Sequence, residues 1–500
     1  MKIAKLQFPT AQTVLLIIAG FAAVLTWLIP AGKFDRLSYD EDKKVLIQTT
    51  EAGDIPHNAD QATLTQLGLK IDVEKFKNGD ISKPIAIPGT YRQVEKNPQG
   101  IGAFIQSPLK GLMEAFDVIL FVLILGGCLG VVNHSGAFDA GIAWLARKLK
   151  KREVLLIVII CTLITAGGTT FGLAEETIAF YPILVPVFLA AGYDAMVALA
   201  VIYIGSCMGS MASTINPFCS IIASNAAGIN WTLGLNGRFF TLGAGLAICL
   251  WYIIRYAERV KKDPSRSIIF AQKEQIERLF LHNSKGETPA FSLKIKLILF
   301  LFASCFLVMI FGVSTLGWWF LEMTTVFFAG ALLIGVVGRI GEKTFVEAFL
   351  KGANDLLGVA LIIGLARGVT VLMDAGGVSD TLLFYSSQAV EGMPKGLFIN
   401  VLMFLYSGLS FFVASTSGMA VLTMPIMAPL ADVVGLGRET VVDAYMYGHG
   451  LFNFINPTSL ILASLAMVHV GFDKWLKFML PLLLLLTLLA MAVLTVEVYL

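Results

Sequence analysis

Nine stretches of this chain are apolar over a length that can cross a lipid bilayer. They lie near residues 11–30, 112–132, 195–228, 235–256, 293–313, 317–338, 355–373, 440–468 and 474–498. A helix needs about 20 apolar residues to span. Apolar types make up 56% of the 500 residues and charged types only 14%, about half the ~25% of a soluble domain. One or two soluble cores cannot hide that much apolar surface, so lipid must be the solvent for most of the chain. This excludes a cytosolic enzyme, a nucleic-acid binder and a disordered protein. The net charge of +2 advertises no acidic partner. Cys128, Cys161, Cys207, Cys219, Cys249 and Cys305 all fall in apolar stretches and imply no disulfide framework.

The spacing of these runs divides the chain. Residues 1–31 form a first transmembrane helix. Its run ends in Ile29-Pro30-Ala31-Gly32-Lys33 and is too long for a signal peptide's apolar region, so it reads as a retained anchor. Residues 32–107 are a polar loop with turn signals at Asn78-Gly79 and Pro88-Gly89. Residues 108–256 form a first repeat, 257–291 a polar linker, 292–341 a further pair of helices, and 342–500 a second repeat. Two apolar regions, 154–191 and 397–434, are each of double length with a polar, small-residue centre. They are expected to be re-entrant helical hairpins. Basic clusters at Arg147–Arg152, Arg255–Arg266, Arg339 with Lys343, and Lys474 with Lys477 set the orientation. One topology places all four inside, with the N-terminus cytoplasmic and loop 32–107 extracytoplasmic. Reading each hairpin as two complete spans leaves the crossing parity unchanged, so charge alone does not separate the two. The predicted fold class is an all-α polytopic membrane protein, with about nine transmembrane helices plus two re-entrant hairpins.

The chain contains a repeat. Lys110-Gly111 matches Lys351-Gly352, Glu114 matches Asp355, Gly127 matches Gly368, Gly136 matches Gly377, and Asp139 matches Asp380, all at an offset of 241. Pro182 and Pro186 match Pro425 and Pro429, and Ile215-Asn216-Pro217 matches Ile455-Asn456-Pro457. Landmarks in one order with offsets agreeing within three residues signal an internal repeat. Five crossings separate the two Lys-Gly pairs in the topology above, so the copies are expected to be inverted. Inverted repeats are the architecture of secondary transporters.

Two Asn-Pro pairs interrupt long apolar stretches, at 195–228 and 440–468. Proline removes a backbone donor and clashes with the preceding turn. Each pair should break its helix and expose the positive end of a half-helix beside Ser213, Thr214 and Asn216 in one copy, and Asn453, Asn456, Thr458 and Ser459 in the other. Unwound backbone with such side chains at membrane depth can hold Na⁺ or a carboxylate. A possible Na⁺ site is assigned to Ser213, Asn216, Asn456 and Ser459. The bland alternative is a packed proline kink, which two symmetry-related sites disfavour. The hairpin tips carry Thr169 and Thr170 in one copy and Ser415, Thr416 and Ser417 in the other. Glu175 and Glu176 follow the first tip, and a carboxylate at membrane depth is a functional-site hypothesis by default. His449, before the second break, could bind substrate or carry a proton, or could simply pack. Asp117, Arg367 and Asp443 are weaker candidates. No zincin, nucleophile-elbow or Walker motif is present, so no enzyme is expected, and transport would be driven by gradients of ions or solutes.

Ile29-Pro30-Ala31-Gly32-Lys33-Phe34-Asp35-Arg36, Ile87-Pro88-Gly89-Thr90-Tyr91, the Gly-Gly-Thr-Thr-Phe-Gly-x-x-Glu-Glu hairpin and both Asn-Pro breaks together resemble the YfcC family. That family is also labelled C4-dicarboxylate anaerobic carrier-like and belongs to the ion transporter superfamily. The resemblance covers nearly the whole chain. It implies a scaffold that dimerises, here including 292–341, and a moving part of two hairpins and two broken helices, as in elevator carriers of the inner membrane. The superfamily's Ser-Asn-Thr sodium motifs are not intact. Ser213-Thr214-Ile215-Asn216-Pro217 and Asn453-Phe454-Ile455-Asn456-Pro457 stand in their place, which leaves Na⁺ or H⁺ open as coupling ion. The family's labels point to dicarboxylates or to basic amino acids. A dicarboxylate beside Glu175 and Glu176 would meet like charge in a low-dielectric site. A guanidinium or ammonium removes that conflict. The expected function is therefore a basic amino acid antiporter of the arginine/ornithine type. A Na⁺- or H⁺-coupled dicarboxylate transporter is the alternative, and a channel is a distant third.

Overall fold

The computed structural model describes residues 9–79, 81, 83–138, 140–141, 144, 152–281, 291–316 and 318–499. Arg147, Lys148, Lys150 and Lys151 of the first basic cluster, and Asp139 of the repeat, lie outside the described residues.

The chain is a multi-pass, mostly helical membrane protein. Among the described residues, ten helices are long and apolar enough to cross a bilayer. Helix α1 (Ala11–Leu28) opens with Thr10 accepting from the Thr13 amide. The loop that follows folds as a small unit. Strands β2 (Arg36–Asp40), β3 (Val45–Thr50), β4 (Gly53–Asn58) and β5 (Ile85–Ala86) form an antiparallel sheet in the order β4-β3-β2-β5. Strand β1 (Gly32–Lys33) pairs with β6 (Arg92–Gln93). Short helices α2 (Gln61–Gln66) and α3 (Glu74–Lys77) close a core of Phe34, Leu37, Leu46, Leu64, Phe76 and Ile85.

The span expected near 112–132 is two helices, α4 (Ile101–Glu114) and α5 (Phe116–His134), with a bend at Ala115. The limit at 107/108 therefore falls inside α4. That helix places Ile101, Ile105, Leu109 and Met113 on one exposed apolar stripe, a period that a scan for continuous apolar runs passes over. The first hairpin consists of α6 (Glu153–Thr170), a 3-10 turn (Glu175–Phe180) and α7 (Tyr181–Ala190). The first broken helix consists of α8 (Ala195–Met211), a π-turn (Pro217–Ile221) and α9 (Ile222–Ala227). Helix α10 (Leu235–Lys262) runs into the linker, which holds α11 (Lys273–Phe280). Asp194, the N-cap of α8, ties the linker down by accepting from Tyr256 Oη at 2.7 Å and Ser267 Oγ at 2.6 Å.

Helices α12 (Leu293–Leu316) and α13 (Phe320–Gly338) lead to the second copy. There α14 (Glu342–Asp355) and α15 (Leu357–Ala375) bend at Leu356 as α4 and α5 do at Ala115. Helix α16 (Val378–Val390) precedes a second hairpin, α17 (Lys395–Phe412) and α18 (Thr416–Val434). The second broken helix is α19 (Arg438–Asn453) and α20 (Ile461–Val468), and α21 (Phe472–Tyr499) ends the chain.

The two copies interlock through glycine. A Cβ on Gly111 of α4 would stand 2.2 Å from the Gly364 carbonyl oxygen of α15. Its counterpart Gly352 of α14 would bring a Cβ to 2.2 Å from the Gly126 carbonyl oxygen of α5. Small residues let membrane helices approach to backbone contact, and here each copy's Lys-Gly glycine is spent on the other copy.

The loop unit is fastened to α16. Asp380 accepts from the Phe34 amide at 2.9 Å and from Arg36 Nη2 at 2.6 Å, and Tyr91 stacks on Phe384 with ring centroids 3.9 Å apart. Asp380 is nearly buried, and its loss leaves both donors short of a partner, at about 1–3 kcal/mol each. Asp380→Ala is expected to speed limited proteolysis within residues 32–107 while the transmembrane helices stay folded. Unchanged cleavage kinetics would show that the pair fastens nothing.

Candidate functional site

Both Asn-Pro pairs break their helices. After Met211 the first chain unwinds, and the end of α6 supplies what the backbone lacks. The Thr169 carbonyl accepts from the Thr214 and Ile215 amides, both at 3.2 Å. Thr169 Oγ1 donates to the Ala212 carbonyl at 2.9 Å and accepts from the Thr214 amide at 3.0 Å. Asn216 Nδ2 donates to the Gly168 carbonyl at 3.1 Å, while its Oδ1 accepts from the Phe218 amide at 2.8 Å and so caps the half-helix that Pro217 begins. The second break repeats the device. Asn456 Nδ2 donates to the Ser410 carbonyl of α17 at 2.9 Å, and its Oδ1 accepts from the Thr458 amide at 3.0 Å. Each asparagine thus joins a half-helix to the neighbouring hairpin, with both ends of its amide in use.

A cavity of ≈ 620 Å³ lies where the loop unit meets the far end of the first broken helix, beside Gln61, Lys70 and Gly228. The cavity of ≈ 470 Å³ between the breaks and the hairpin tips is the candidate site. Of the residues expected there from sequence, Glu175, Glu176, Asn216, Ser415, Thr416, Ser417, Asn453, Thr458 and Ser459 line it. Thr169, Thr170, Ser213, Thr214, His449 and Asn456 stand behind it. Thr170 Oγ1 bonds back to the Ala166 carbonyl at 2.6 Å, and Ser213 Oγ donates to Ser220 Oγ at 3.0 Å. The buried His449 ring spans Ser410 Oγ and Thr416 Oγ1, both at 3.0 Å, and so steadies the second hairpin tip. Of the four residues assigned to Na⁺, only Asn216 and Ser459 reach the cavity, and the Asn216 amide is already engaged.

The cavity has two poles. Glu175 and Glu176 sit on the 3-10 turn of the first hairpin, and Asp117 of α5 lies within electrostatic reach of Glu175. At the second hairpin, Lys83 of the loop unit donates to Ser417 Oγ at 2.7 Å, with Arg367 near enough to act on its charge. Burial, and then Arg367, hold the Lys83 ammonium below the usual lysine range. Arg367 is itself paired with Glu114 at 3.0 Å. Asn453 Oδ1 is buried with no hydrogen-bond partner among the described residues, an acceptor left for a ligand. Tyr203, Phe218, Trp318 and Trp319 give the cavity aromatic walls. Lys83, Glu114, Trp318 and Trp319 were not among the sequence candidates. The tryptophan pair, at the mouth of a span, is the one signal that could have found a wall residue.

Because both asparagine amides complete backbone, Asn216→Ala and Asn456→Ala are each expected to destabilise the protein by about 1–3 kcal/mol. Thermal unfolding of the purified variants measures this. A Tm equal to wild type in both would show that the caps carry no stability.

Comparison with known proteins places this architecture. The family model DcuC, C4-dicarboxylate anaerobic carrier, matches residues 8–499. The chain is 43% identical over 496 residues to a protein of Haemophilus influenzae described as uncharacterized, covering 98% of this chain and 97% of that one. It is 29% identical over 501 residues to the Escherichia coli protein described as putative basic amino acid antiporter YfcC, covering 94% and 92%. Among solved structures, the YdaH transporter of Alcanivorax borkumensis aligns with a TM-score of 0.39 at 14% identity, covering 98% of each chain. MtrF of Neisseria gonorrhoeae, described with a class of antimetabolite efflux pumps, aligns with a TM-score of 0.41 at 13% identity, covering 99% of this chain and 96% of that one.

Proposed function

The chain belongs to the DcuC family of C4-dicarboxylate anaerobic carriers, and from that membership and the site's geometry we propose that it is a secondary antiporter of basic amino acids. The observation that carries this reading is the charge of the cavity. Glu114, Asp117, Glu175 and Glu176 line it against Lys83 and Arg367, an excess of two carboxylates. A substrate with one carboxylate and two cationic groups offsets part of that excess, whereas a dicarboxylate adds to it. The poles also fit an elongated amino acid. Its α-carboxylate meets Lys83 and the hydroxyl of Ser417, and its guanidinium or ammonium end meets Glu175, Glu176 and the Asn453 acceptor. The E. coli relative's description, putative basic amino acid antiporter, agrees with this.

Exchange is the natural mode, because arginine and ornithine carry the same charge and one can leave as the other enters. We further read the two copies as an inverted pair, supported by the reciprocal glycine contacts. The hairpins and broken helices would move together against a dimeric scaffold in an elevator cycle in the inner membrane. The loop unit and the basic clusters at 255–266 and 474–477 stand at opposite ends of α10 and α21. That supports a cytoplasmic N-terminus with the loop outside. The second reading, a dicarboxylate carrier, rests on the family's description and requires two cations bound beside the glutamates.

Proteoliposomes preloaded with ornithine test the proposal. Labelled arginine should enter and labelled succinate should not. Glu175→Gln and Glu176→Gln should each weaken arginine binding roughly ten- to hundredfold, the value of one charged hydrogen bond at ~1.5–3 kcal/mol. Uptake of succinate but not arginine would overturn the assignment. Lys83→Gln separates the poles. It should weaken arginine by about tenfold, the lower end of a charge-assisted hydrogen bond. The decarboxylated amine, which has no carboxylate for Lys83 to meet, should compete equally well against both proteins.

A further inference from the structure

Three charged side chains packed between helix ends take no part in the substrate cavity. Arg238 comes from the first turn of α10, Asp443 from the first half of α19 and Glu497 from the last turn of α21. The side chains of Arg238 and Asp443 are 0% and 1% exposed. Arg238 Nε donates to Asp443 Oδ1 at 2.5 Å, and its Nη1 donates to the Trp231 carbonyl at 2.9 Å. Four polar atoms remain. Arg238 Nη2, Asp443 Oδ2 and both carboxyl oxygens of Glu497 are buried with no hydrogen-bond partner among the described residues. Glycines make the room. A Cβ on Gly234 would stand 2.6 Å from Asp443 Oδ2, and one on Gly237 would stand 1.7 Å from Glu497 Oε1.

The charges do not balance. One guanidinium faces two carboxylates, and among the described residues the other groups in reach add no cation. Glu439 of α19 lies within electrostatic range of both acids. Tyr447 of α19 shares a hydrogen bond with Thr241 of α10 at 3.0 Å. Cys219, in the π-turn of the first break, is within range of Arg238 and Asp443. From α17, Asn400 donates to Thr495 of α21 at 3.0 Å. A buried carboxylate without a partner is costly, and taking up a proton removes its charge.

We propose that Arg238, Asp443 and Glu497 form a proton-binding site, separate from the substrate cavity, in which one carboxylate neutralises the guanidinium and the other binds and releases a single proton during transport. The step is a plain acid–base one. A carboxylate oxygen lone pair takes a proton from hydronium, one O–H bond forms as the hydronium's breaks and its electron pair stays on the departing water, and nothing is oxidised. The link to transport rests on the function proposed above, and two elements supply it. Helix α19 carries Asp443 and, ten residues on and about 15 Å along its axis, the cavity-lining Asn453. The π-turn carries Cys219 directly after the first break. Charge at this site therefore bears on how α19 and the π-turn seat against α10 and α21.

Uptake measured against pH in proteoliposomes tests the link. Wild type should show a limb that changes about tenfold per pH unit, the slope of one proton. Glu497→Gln should lose that limb, and Glu497→Asp, which keeps a titratable carboxyl, should retain it with a shifted midpoint. A Glu497→Gln profile that superimposes on wild type overturns the proposal, as does a wild-type limb replaced by dependence on Na⁺ at fixed pH. The purified protein without substrate gives a reading that stands even if arginine proves not to be carried. Its Tm should decline as pH rises, because deprotonation leaves a buried charge, and Glu497→Gln should flatten that decline. Parallel Tm curves for the two proteins would overturn the site itself. If Glu497→Gln does not fold, Asp443→Asn, which leaves one carboxylate for the one guanidinium, should flatten both profiles, and wild-type slopes in that variant overturn the site equally.

Discussion

Unwound backbone in a bilayer has no water to complete it, and every N–H and C=O it frees must find a protein partner. The rest of this structure follows from how the two breaks meet that demand. The first is completed by Thr169 of the hairpin beside it and by its own Asn216, the second by its own Asn456, and each asparagine is held by a hairpin carbonyl. Break and hairpin are thereby joined, and the shape of the cavity between them is fixed by hydrogen bonds within the protein. Among the polar groups that face the cavity, Asn453 Oδ1 and the Ser417 hydroxyl are ones the backbone leaves over.

Charge then decides what such a cavity welcomes. Its carboxylates come from α4, α5 and the first hairpin, whereas its cations come from α15 and from the loop unit, so no single element makes it polar at both ends. An extended molecule with unlike ends has one good orientation there and a poor one. Aromatic side chains from α8, the π-turn and the α12–α13 connection close the sides.

Much of the architecture was legible in the sequence because its signals are local. Pro217 and Pro457 announce breaks by chemistry alone, and Gly-Gly-Thr-Thr and Ser-Thr-Ser-Gly announce tight ends between apolar runs. Continuous apolarity finds a helix that is buried or lipid-clad all round. It missed most of α4, whose apolar residues recur every fourth position on one side. The direction of a side chain is not local. Asn216 and Asn456 were legible as important, but whether their amides serve ligand or backbone depends on Gly168 and Ser410, some forty-eight and forty-six residues away. Lys83 was invisible for the same reason. It sits in a polar loop among other lysines, and only the fold brings it to Ser417, 334 residues later.

The loop unit holds two parts of the molecule by unequal means. On α16 it has the nearly buried Asp380 with two donors and a stacked aromatic pair. On α18 it has Lys83 at one end and, at the other, a Lys70–Asp432 pair whose side chains are 71% and 36% exposed. Exposed pairs contribute about 0–1 kcal/mol and are screened by salt. Salt would therefore loosen only the Lys70–Asp432 part of the loop's hold on α18, while the packing of the buried Ile85 and Ala86 of β5 and the Asp380 clamp on α16 would persist.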